Sequence, residues 1–131
     1  MDLGIAGKRA IVCASSRGLG RACAEALAGE GAAVTINGRD AAALAAAADE
    51  IRRASGAKVE FVAGDIGDEA TRAALLAACP APDILVNNNG GPPPGRYQEW
   101  DRDAWVAALD ANLIAPALMI RAACIRTFLS F

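Results

Sequence analysis

The sequence predicts an α/β fold built on a parallel β-sheet, and three observations support this prediction. Four short segments rich in valine, isoleucine and leucine alternate with longer, alanine-rich segments of helical spacing. The short segments are nearly continuous in apolar residues, as parallel strands covered on both faces are. Glycine, proline, asparagine and aspartate separate the segments, which is typical of turns. Strands that alternate with helices form right-handed βαβ units, so a parallel sheet with flanking helices is expected.

The element boundaries follow from turn and capping residues. Asp40 and Asp68 stand where helix N-caps are expected, and glycines or prolines end the first three helices. Strands are predicted at residues 8–14, 33–37, 58–63 and 83–86. Helices are predicted at residues 18–28, from the cap at 40 to about 54, from the cap at 68 to about 79, and from about 101 onward.

The last predicted helix is the longest. Its apolar spacing places Trp105, Leu109 and Leu113 on the inward face. A kink is expected near Asn112 or Pro116, because proline removes a helix hydrogen bond.

Composition narrows the class of protein. A chain of 131 residues is long enough for one domain, taken as residues 1–131. The formal net charge is −2 and the cations are scattered, which argues against nucleic-acid binding. Four dispersed cysteines and no histidine predict a reduced, cytoplasmic protein without a metal site. No apolar run of spanning length and no signal peptide are evident, so neither membrane insertion nor secretion is expected.

The turn between the first strand and first helix carries the strongest functional signal. Residues 10–22 read as a strand, a tight turn with Gly18 and Gly20, and a helix start. Backbone amides at such a helix N-terminus favour a bound phosphate. A tight βα turn without a ligand is the alternative that two glycines alone leave open.

Several motifs at matching intervals resemble the short-chain dehydrogenase/reductase family. Residues 13–20, CASSRGLG, resemble its TGxxxGxG turn, and residues 87–90, NNNG, resemble its NNAG motif. Asp65 and Ile66 resemble the acidic-aliphatic pair that the family places against adenine. Asn112 falls where the family carries an active-site asparagine. The resemblance covers residues 6–122 and is nearest to 3-oxoacyl-ACP reductase-like members.

This resemblance implies a Rossmann-type, doubly wound parallel sheet, truncated to about four strands in the order 3-2-1-4. It also implies hydride transfer between NADP(H) or NAD(H) and a small carbonyl or alcohol substrate, and a homo-oligomer. Two residues depart from the family pattern: Ala14 replaces the first glycine, and Asn89 replaces the alanine of NNAG. The residues expected to bind the cofactor are Ala14, Ser16, Arg17, Gly18, Leu19, Gly20, Asn37, Arg39, Asp65, Ile66, Asn87, Asn88, Asn89 and Gly90.

Charge at the end of the second strand bears on the choice of cofactor. NAD binding in such folds uses an acidic residue there, whereas NADP binding uses cations for the 2′-phosphate. Here Arg39 follows the strand and Arg17 lies in the glycine turn, while Asp40 is expected to cap a helix. NADP(H) is therefore predicted in preference to NAD(H). Solvated surface charge is the alternative for both arginines.

The family's catalytic serine and Tyr-x-x-x-Lys motif have no match here. Tyr97 is the single tyrosine and lies in the loop after the fourth strand, and Lys8 and Lys58 both stand at the start of predicted strands. The tail, residues 124–131, resembles no family continuation. We therefore expect a truncated or frameshifted product, inactive alone, with an exposed fourth strand and a tendency to self-associate. A catalytically silent nucleotide-binding or oligomerisation module, and a purely structural domain, remain alternatives.

Overall fold

The computed structural model describes residues 2–128, with side chains described as far as Cys124. The predicted atypical tail thus lies partly outside the described residues. The strands are β1 (Arg9–Val12), β2 (Ala33–Gly38), β3 (Val59–Ala63) and β4 (Ile84–Val86). The helices are α1 (Gly18–Gly29), α2 (Ala41–Ser55), α3 (Glu69–Ala78), α4 (Arg102–Leu109) and α5 (Ala115–Phe128), with a 3-10 turn at Tyr97–Glu99 and a π-helical segment at Asp110–Ile114.

The four strands form one parallel sheet in the order β3-β2-β1-β4, which confirms the predicted topology. In the register of the central strand, Val12 lies opposite Ile36 of β2 and Val86 of β4. All four strands therefore end at the same edge of the sheet, and the loops that follow them meet there. In the described part of the chain, β4 forms one outer edge, as expected from the sequence.

Alternate residues of β1 divide the core into two layers. Ala10 and Val12 face one layer, and Ile11 and Cys13 face the other. The first layer is closed by apolar residues of α1 and α2, and the second by residues of α3 and α5. This double cover explains why the strands are almost continuously apolar.

Helix starts agree with the predicted caps, with one correction. The Asp40 carboxylate accepts a hydrogen bond from the Ala43 amide at 3.0 Å and caps α2. Asp68 occupies the N-cap position of α3, but its side chain makes no capping bond. The turn before α3 is held instead by the Arg72 guanidinium, which donates to the carbonyls of Ile66 and Gly67.

The inward face predicted for the last helix is wrong. Trp105, Leu109 and Leu113 are 45%, 50% and 61% exposed. The residues that reach the core are instead Met119 and Ala123 of α5, which pack in the layer with Ile11 of β1 and residues of α3. The π-helical segment lies between the two halves and changes the angular register, so one apolar stripe does not continue from α4 into α5.

This π-helical segment occupies the place of the predicted kink, and it ends at Ile114, two residues before Pro116. The Ala115 amide donates to the carbonyl of Asp110, five residues earlier. Pro116 has no amide hydrogen to continue the pattern. Proline next to a widened turn is a recognised cause of helix distortion.

The expectation that no segment reaches spanning length also needs correction. The continuous helix Arg102–Cys124 is long and apolar enough to cross a membrane, with a mean hydropathy of 1.4 over its most apolar window. Length and composition are the whole basis of this finding, and mostly buried core helices meet the same criterion, whereas 17% of this window is buried. Met119, within this helix, is fully buried among residues of β1 and α3.

Candidate functional site

A cavity of about 290 Å³ opens where the loops after all four strands meet. Parallel α/β sheets bind their ligands at this edge. All but two of the residues predicted to bind a cofactor line it, the exceptions being Gly20 and Asn87. Gly38 and Gly64 line it in addition. The lining residues are Ala14, Ser16, Arg17, Gly18, Leu19, Asn37, Gly38, Arg39, Gly64, Asp65, Ile66, Asn88, Asn89 and Gly90.

Ser15, which the sequence did not single out, anchors the turn after β1. Its hydroxyl donates to the Val12 carbonyl at 2.7 Å and accepts from the Asn37 amide at 3.1 Å. Its own backbone amide donates to the Asn37 carbonyl at 2.7 Å. The side chain is fully buried, so these bonds replace the water that it loses. Nothing in the sequence distinguishes Ser15 from its half-buried neighbour Ser16.

The side chain of Asn37, at the end of β2, connects this strand by hydrogen bonds to the turn after β1 and to the end of β3. Its side-chain oxygen accepts from the Ala14 amide at 3.2 Å, and its Nδ2 donates to the carbonyls of Val62 and Gly64 at 3.1 and 3.0 Å. Both hydrogens of the amide group are therefore used within the protein. Asn37 lines the cavity as predicted, but its main contribution is to hold the cavity's shape.

Gly20 is required by close packing. A Cβ atom there would lie 2.4 Å from the Ala14 carbonyl oxygen and 2.8 Å from Nδ2 of Asn88. That Nδ2 donates to the same Ala14 oxygen at 2.9 Å. The glycine thus lets α1 approach the turn and lets the β4 loop bond to it.

Ala14 adopts a left-handed backbone conformation, with φ of 45°. This is the position at which the family pattern has glycine. A methyl group in this conformation costs about 1 kcal/mol relative to glycine. The chain carries that strain at the mouth of the cavity.

We expect Ala14→Gly to stabilise the protein by about 1 kcal/mol, because it relieves this strain. Urea unfolding followed by circular dichroism measures the difference. Ala46→Gly, at an exposed position inside α2, serves as control and should destabilise by about 1 kcal/mol. Destabilisation by both substitutions would contradict the strain at Ala14.

The first turn of α1 presents an uncapped helix N-terminus to the cavity. Arg17 holds the N-cap position in an extended conformation, and no side chain makes a capping bond there. Gly18 and Leu19 line the cavity, and a Cβ on Gly18 would meet no atom within 4 Å. The backbone amides of this turn and the positive end of the helix dipole favour an anion.

Arg17 and Arg39 also line the cavity, and both residues are exposed. Arg21, further along α1, pairs with Glu25 and Glu50, which raises the pKa of its guanidinium and lowers the pKa of Glu50. Within residues 2–124, neither Arg17 nor Arg39 takes part in an ion pair. Both charges can therefore bind an anion.

Acidic residues near these cations are already engaged. Asp40 caps α2, as described, and it does not line the cavity. Asp65 lines the cavity, and its carboxylate accepts from the Gly67 amide at 2.8 Å. Asp65 is the single acidic residue among those lining the cavity, on the side of β3, so the end of β2 stays positive.

A second cavity of about 290 Å³ adjoins the first. Asn112, predicted as the active-site asparagine, lines this second cavity and not the first. Its Nδ2 donates to the Ala108 carbonyl at 3.0 Å. Asn87 also lies in the second cavity, whereas Asn88 and Asn89 line both. The structure thus divides the predicted site residues between two adjacent spaces.

Four thiols are free, two buried and two exposed. Burial raises the pKa of Cys13 to about 11, against an ordinary value of 9.0, and burial also raises that of Cys79. In the part of the chain whose side chains are described, no cluster of three or more histidine, cysteine or acidic residues could hold a metal ion.

We expect Cys23 and Cys124 to react quickly with a thiol reagent at pH 8, because both are exposed. Cys13 and Cys79 should react only as the protein unfolds, because the reagent cannot reach them and their thiolates are scarce. Counting the fast and slow thiols with Ellman's reagent tests this. Four fast thiols in the native protein would contradict the packing of the second layer, which contains both Cys13 and Cys79.

Known proteins share this arrangement. The sequence matches the family described as short chain dehydrogenase over residues 8–129. An uncharacterized oxidoreductase of Bacillus subtilis is 37% identical over 122 residues, which are 92% of this chain and 46% of that protein. The chain spans about half the length of the curated relatives it matches.

Solved structures agree. L-sorbose reductase from Gluconobacter frateurii, complexed with NADPH and L-sorbose, superposes with a TM-score of 0.91 at 30% identity, covering 97% of this chain and 50% of that one. A structure described as a proposed β-ketoacyl-ACP reductase superposes with a TM-score of 0.81 at 35% identity, covering 91% and 48%. Both contain the fold of this chain as about half of a longer protein.

Proposed function

The chain belongs to the short-chain dehydrogenase/reductase family of NAD(P)-dependent oxidoreductases, and from this premise we propose that it binds NADP(H) in the first cavity. The same proposal treats residues 1–131 as one nucleotide-binding domain. In a full-length protein, such a domain would serve hydride transfer between NADP(H) and a small carbonyl or alcohol substrate, and we propose that this chain, without the family's serine, tyrosine and lysine, is inactive alone. A bound nicotinamide would supply the hydride, and this chain's residues would hold the nucleotide.

The preference for NADP(H) rests on one observation above all. Arg17 and Arg39 line the cavity without ion-pair partners in residues 2–124, beside the uncapped N-terminus of α1. A 2′-phosphate suits two guanidinium groups, whereas the 2′-hydroxyl of NAD suits a carboxylate at the end of β2. The complex of L-sorbose reductase with NADPH supports the same choice.

We assign the other cavity residues by their position. We propose that Asp65 and Ile66, which follow β3 and line the first cavity, contact the adenine, as the resemblance to the family implies. Asn88 and Asn89, after β4, line both cavities. Asn112 lines that second cavity, where a substrate would meet the nicotinamide. The proton of the reaction needs a side chain of suitable pKa, and the family's tyrosine, lysine and serine have no match in this sequence.

Titration of NADPH and NADH into the purified chain, followed by nucleotide fluorescence, tests the proposal. We expect NADPH to bind more tightly than NADH. We also expect no turnover with a panel of carbonyl substrates that includes L-sorbose. An unchanged NADPH signal would overturn the proposal and favour a purely structural domain.

A catalytically silent nucleotide-binding or oligomerisation module is the second candidate. The position of Tyr97 favours it, since this exposed tyrosine precedes α4 and no lysine follows at the fourth place. Resequencing the locus separates the two candidates. An in-frame Tyr-x-x-x-Lys downstream of residue 123 supports the enzyme, and its absence supports the silent module.

We also propose that the chain self-associates. A cytoplasmic location is part of the same proposal and agrees with the free thiols. The exposed apolar side chains of α4, the π-helical segment and α5 include Trp105, Leu109 and Leu113. A concentration of apolar surface of this kind is typical of an interaction site.

We expect Leu113→Glu to shift the chain toward monomer in sedimentation velocity, because a buried carboxylate at an interface opposes association. Leu3→Glu is the matched control, since Leu3 is similarly exposed, at 56% against 61% for Leu113, but lies near the N-terminus. An oligomer that survives Leu113→Glu would place the interface elsewhere.

A further inference from the structure

Asn89 lies at the boundary between the two cavities and lines both. Its Nδ2 donates to the carbonyl of Ala111 at 3.1 Å, and its Oδ1 accepts from the Gly90 amide at 2.8 Å. One side chain therefore joins the loop after β4 to the π-helical segment. The alanine that the family pattern has at this position could make neither bond.

The Ala111 carbonyl needs such a donor because of the local helix geometry. In the π-helical segment, the Ala115 amide donates to the Asp110 carbonyl, five residues earlier. In this register the next amide, at residue 116, would donate to Ala111. Residue 116 is proline and has no amide hydrogen. The side chain of Asn89 supplies the missing donor, so the carbonyl remains satisfied.

We propose that Asn89 and Pro116 form a latch that fixes the β4 loop to the π-helical segment and so positions the far end of a bound dinucleotide. Asn89 is a positioning residue in this proposal, which rests on the proposed binding of NADP(H). The two sides of the cavity have different roles. Arg39 and Asp65 follow β2 and β3, whereas Asn89 follows β4, on the other side of β1.

The position of the latch predicts a difference between ligands. 2′,5′-ADP carries the phosphate for Arg17 and Arg39 and is too short to depend on the β4 loop. NADPH, if bound with its phosphate at these arginines, would be long enough to reach that loop across β1. We expect Asn89→Ala to weaken NADPH binding about fivefold, as for the loss of one ordinary hydrogen bond, and to leave 2′,5′-ADP within about twofold.

Asn89→Asp is the matched variant, since it keeps the acceptor for Gly90 but loses the donor to Ala111. It should weaken NADPH binding at least as much as Asn89→Ala does, because a carboxylate then faces a carbonyl oxygen. Recovery of wild-type affinity in Asn89→Asp would assign the effect to the Gly90 bond and overturn the latch.

A double-mutant cycle with Pro116→Ala tests the cause. This substitution provides an amide hydrogen at residue 116, which can donate to Ala111 in place of Asn89. We expect the effect of Asn89→Ala on NADPH affinity to fall from about fivefold to less than about twofold in the Pro116→Ala background. An undiminished effect would overturn the coupling of the two residues.

Hydrogen exchange gives a readout that needs no nucleotide. Asn89→Ala should speed amide exchange in residues 111–115 in the free chain, and the Pro116→Ala background should suppress this change. If the wild-type chain binds neither NADPH nor 2′,5′-ADP, the proposed function fails, and exchange alone decides the latch. Unchanged amide exchange in Asn89→Ala would overturn the latch, whether or not nucleotide binds. An equal loss of affinity for NADPH and for 2′,5′-ADP would also overturn it.

Discussion

Gly20→Ala is expected to destabilise the protein by about 3 kcal/mol, at the upper end for overpacking. The added methyl would lie 2.4 Å from the Ala14 carbonyl oxygen, a backbone atom that cannot move by itself. It would also displace Nδ2 of Asn88, which bonds to that oxygen. Because the same turn lines the first cavity, where we propose that NADP(H) binds, NADPH affinity should fall more than tenfold.

Gly29→Ala is the control, because it makes the same substitution at the other end of α1. A Cβ on Gly29 would meet no atom within 4 Å, so we expect no loss of stability and a gain of up to about 1 kcal/mol. Chemical denaturation and NADPH titration measure both variants. Equal stability of Gly20→Ala and Gly29→Ala would show that the turn can widen at little cost.

Arg39→Ala should lower NADPH affinity about tenfold to a hundredfold and bring it close to that of NADH. A guanidinium in contact with a phosphate contributes about 1.5–3 kcal/mol, and NADH has no 2′-phosphate to lose that contact. The affinity for NADH should therefore change by less than about twofold. Arg17→Ala should act in the same direction, since its side chain lines the same cavity.

Arg53→Ala controls for the general loss of a positive charge, since Arg53 is exposed on α2 and does not line the cavity. Fluorescence titrations at low and high salt should show a weaker salt dependence for Arg39→Ala than for Arg53→Ala. If Arg39→Ala keeps a large preference for NADPH over NADH, another group must recognise the 2′-phosphate.

The sequence by itself determined the order of the elements and the position of the cavity. Apolar strands alternating with helices have few ways to form a parallel sheet, because βαβ crossovers have one hand. The carboxyl ends of parallel strands meet at one edge of the sheet. Residues that directly follow these strands are therefore brought together there, as Gly18, Gly20, Arg17 and Arg39 are. Such features can be predicted from the sequence because each depends mainly on residues nearby in the chain.

The hydrogen bonds and the burial that join residues far apart in the chain were decided only by the tertiary structure. Ser15 lies in the turn after β1 and Asn37 lies in β2, and no local pattern indicates that they bond to each other. The burial of Met119 in place of Leu113 depends on the π-helical segment, which changes the face that the last helix turns to the sheet. The bond from Asn89 to Ala111 likewise depends on how that segment meets the β4 loop, 22 residues earlier in the chain. Hydrophobic periodicity identifies an apolar stripe, but the neighbours of that stripe are set only when the layers pack together.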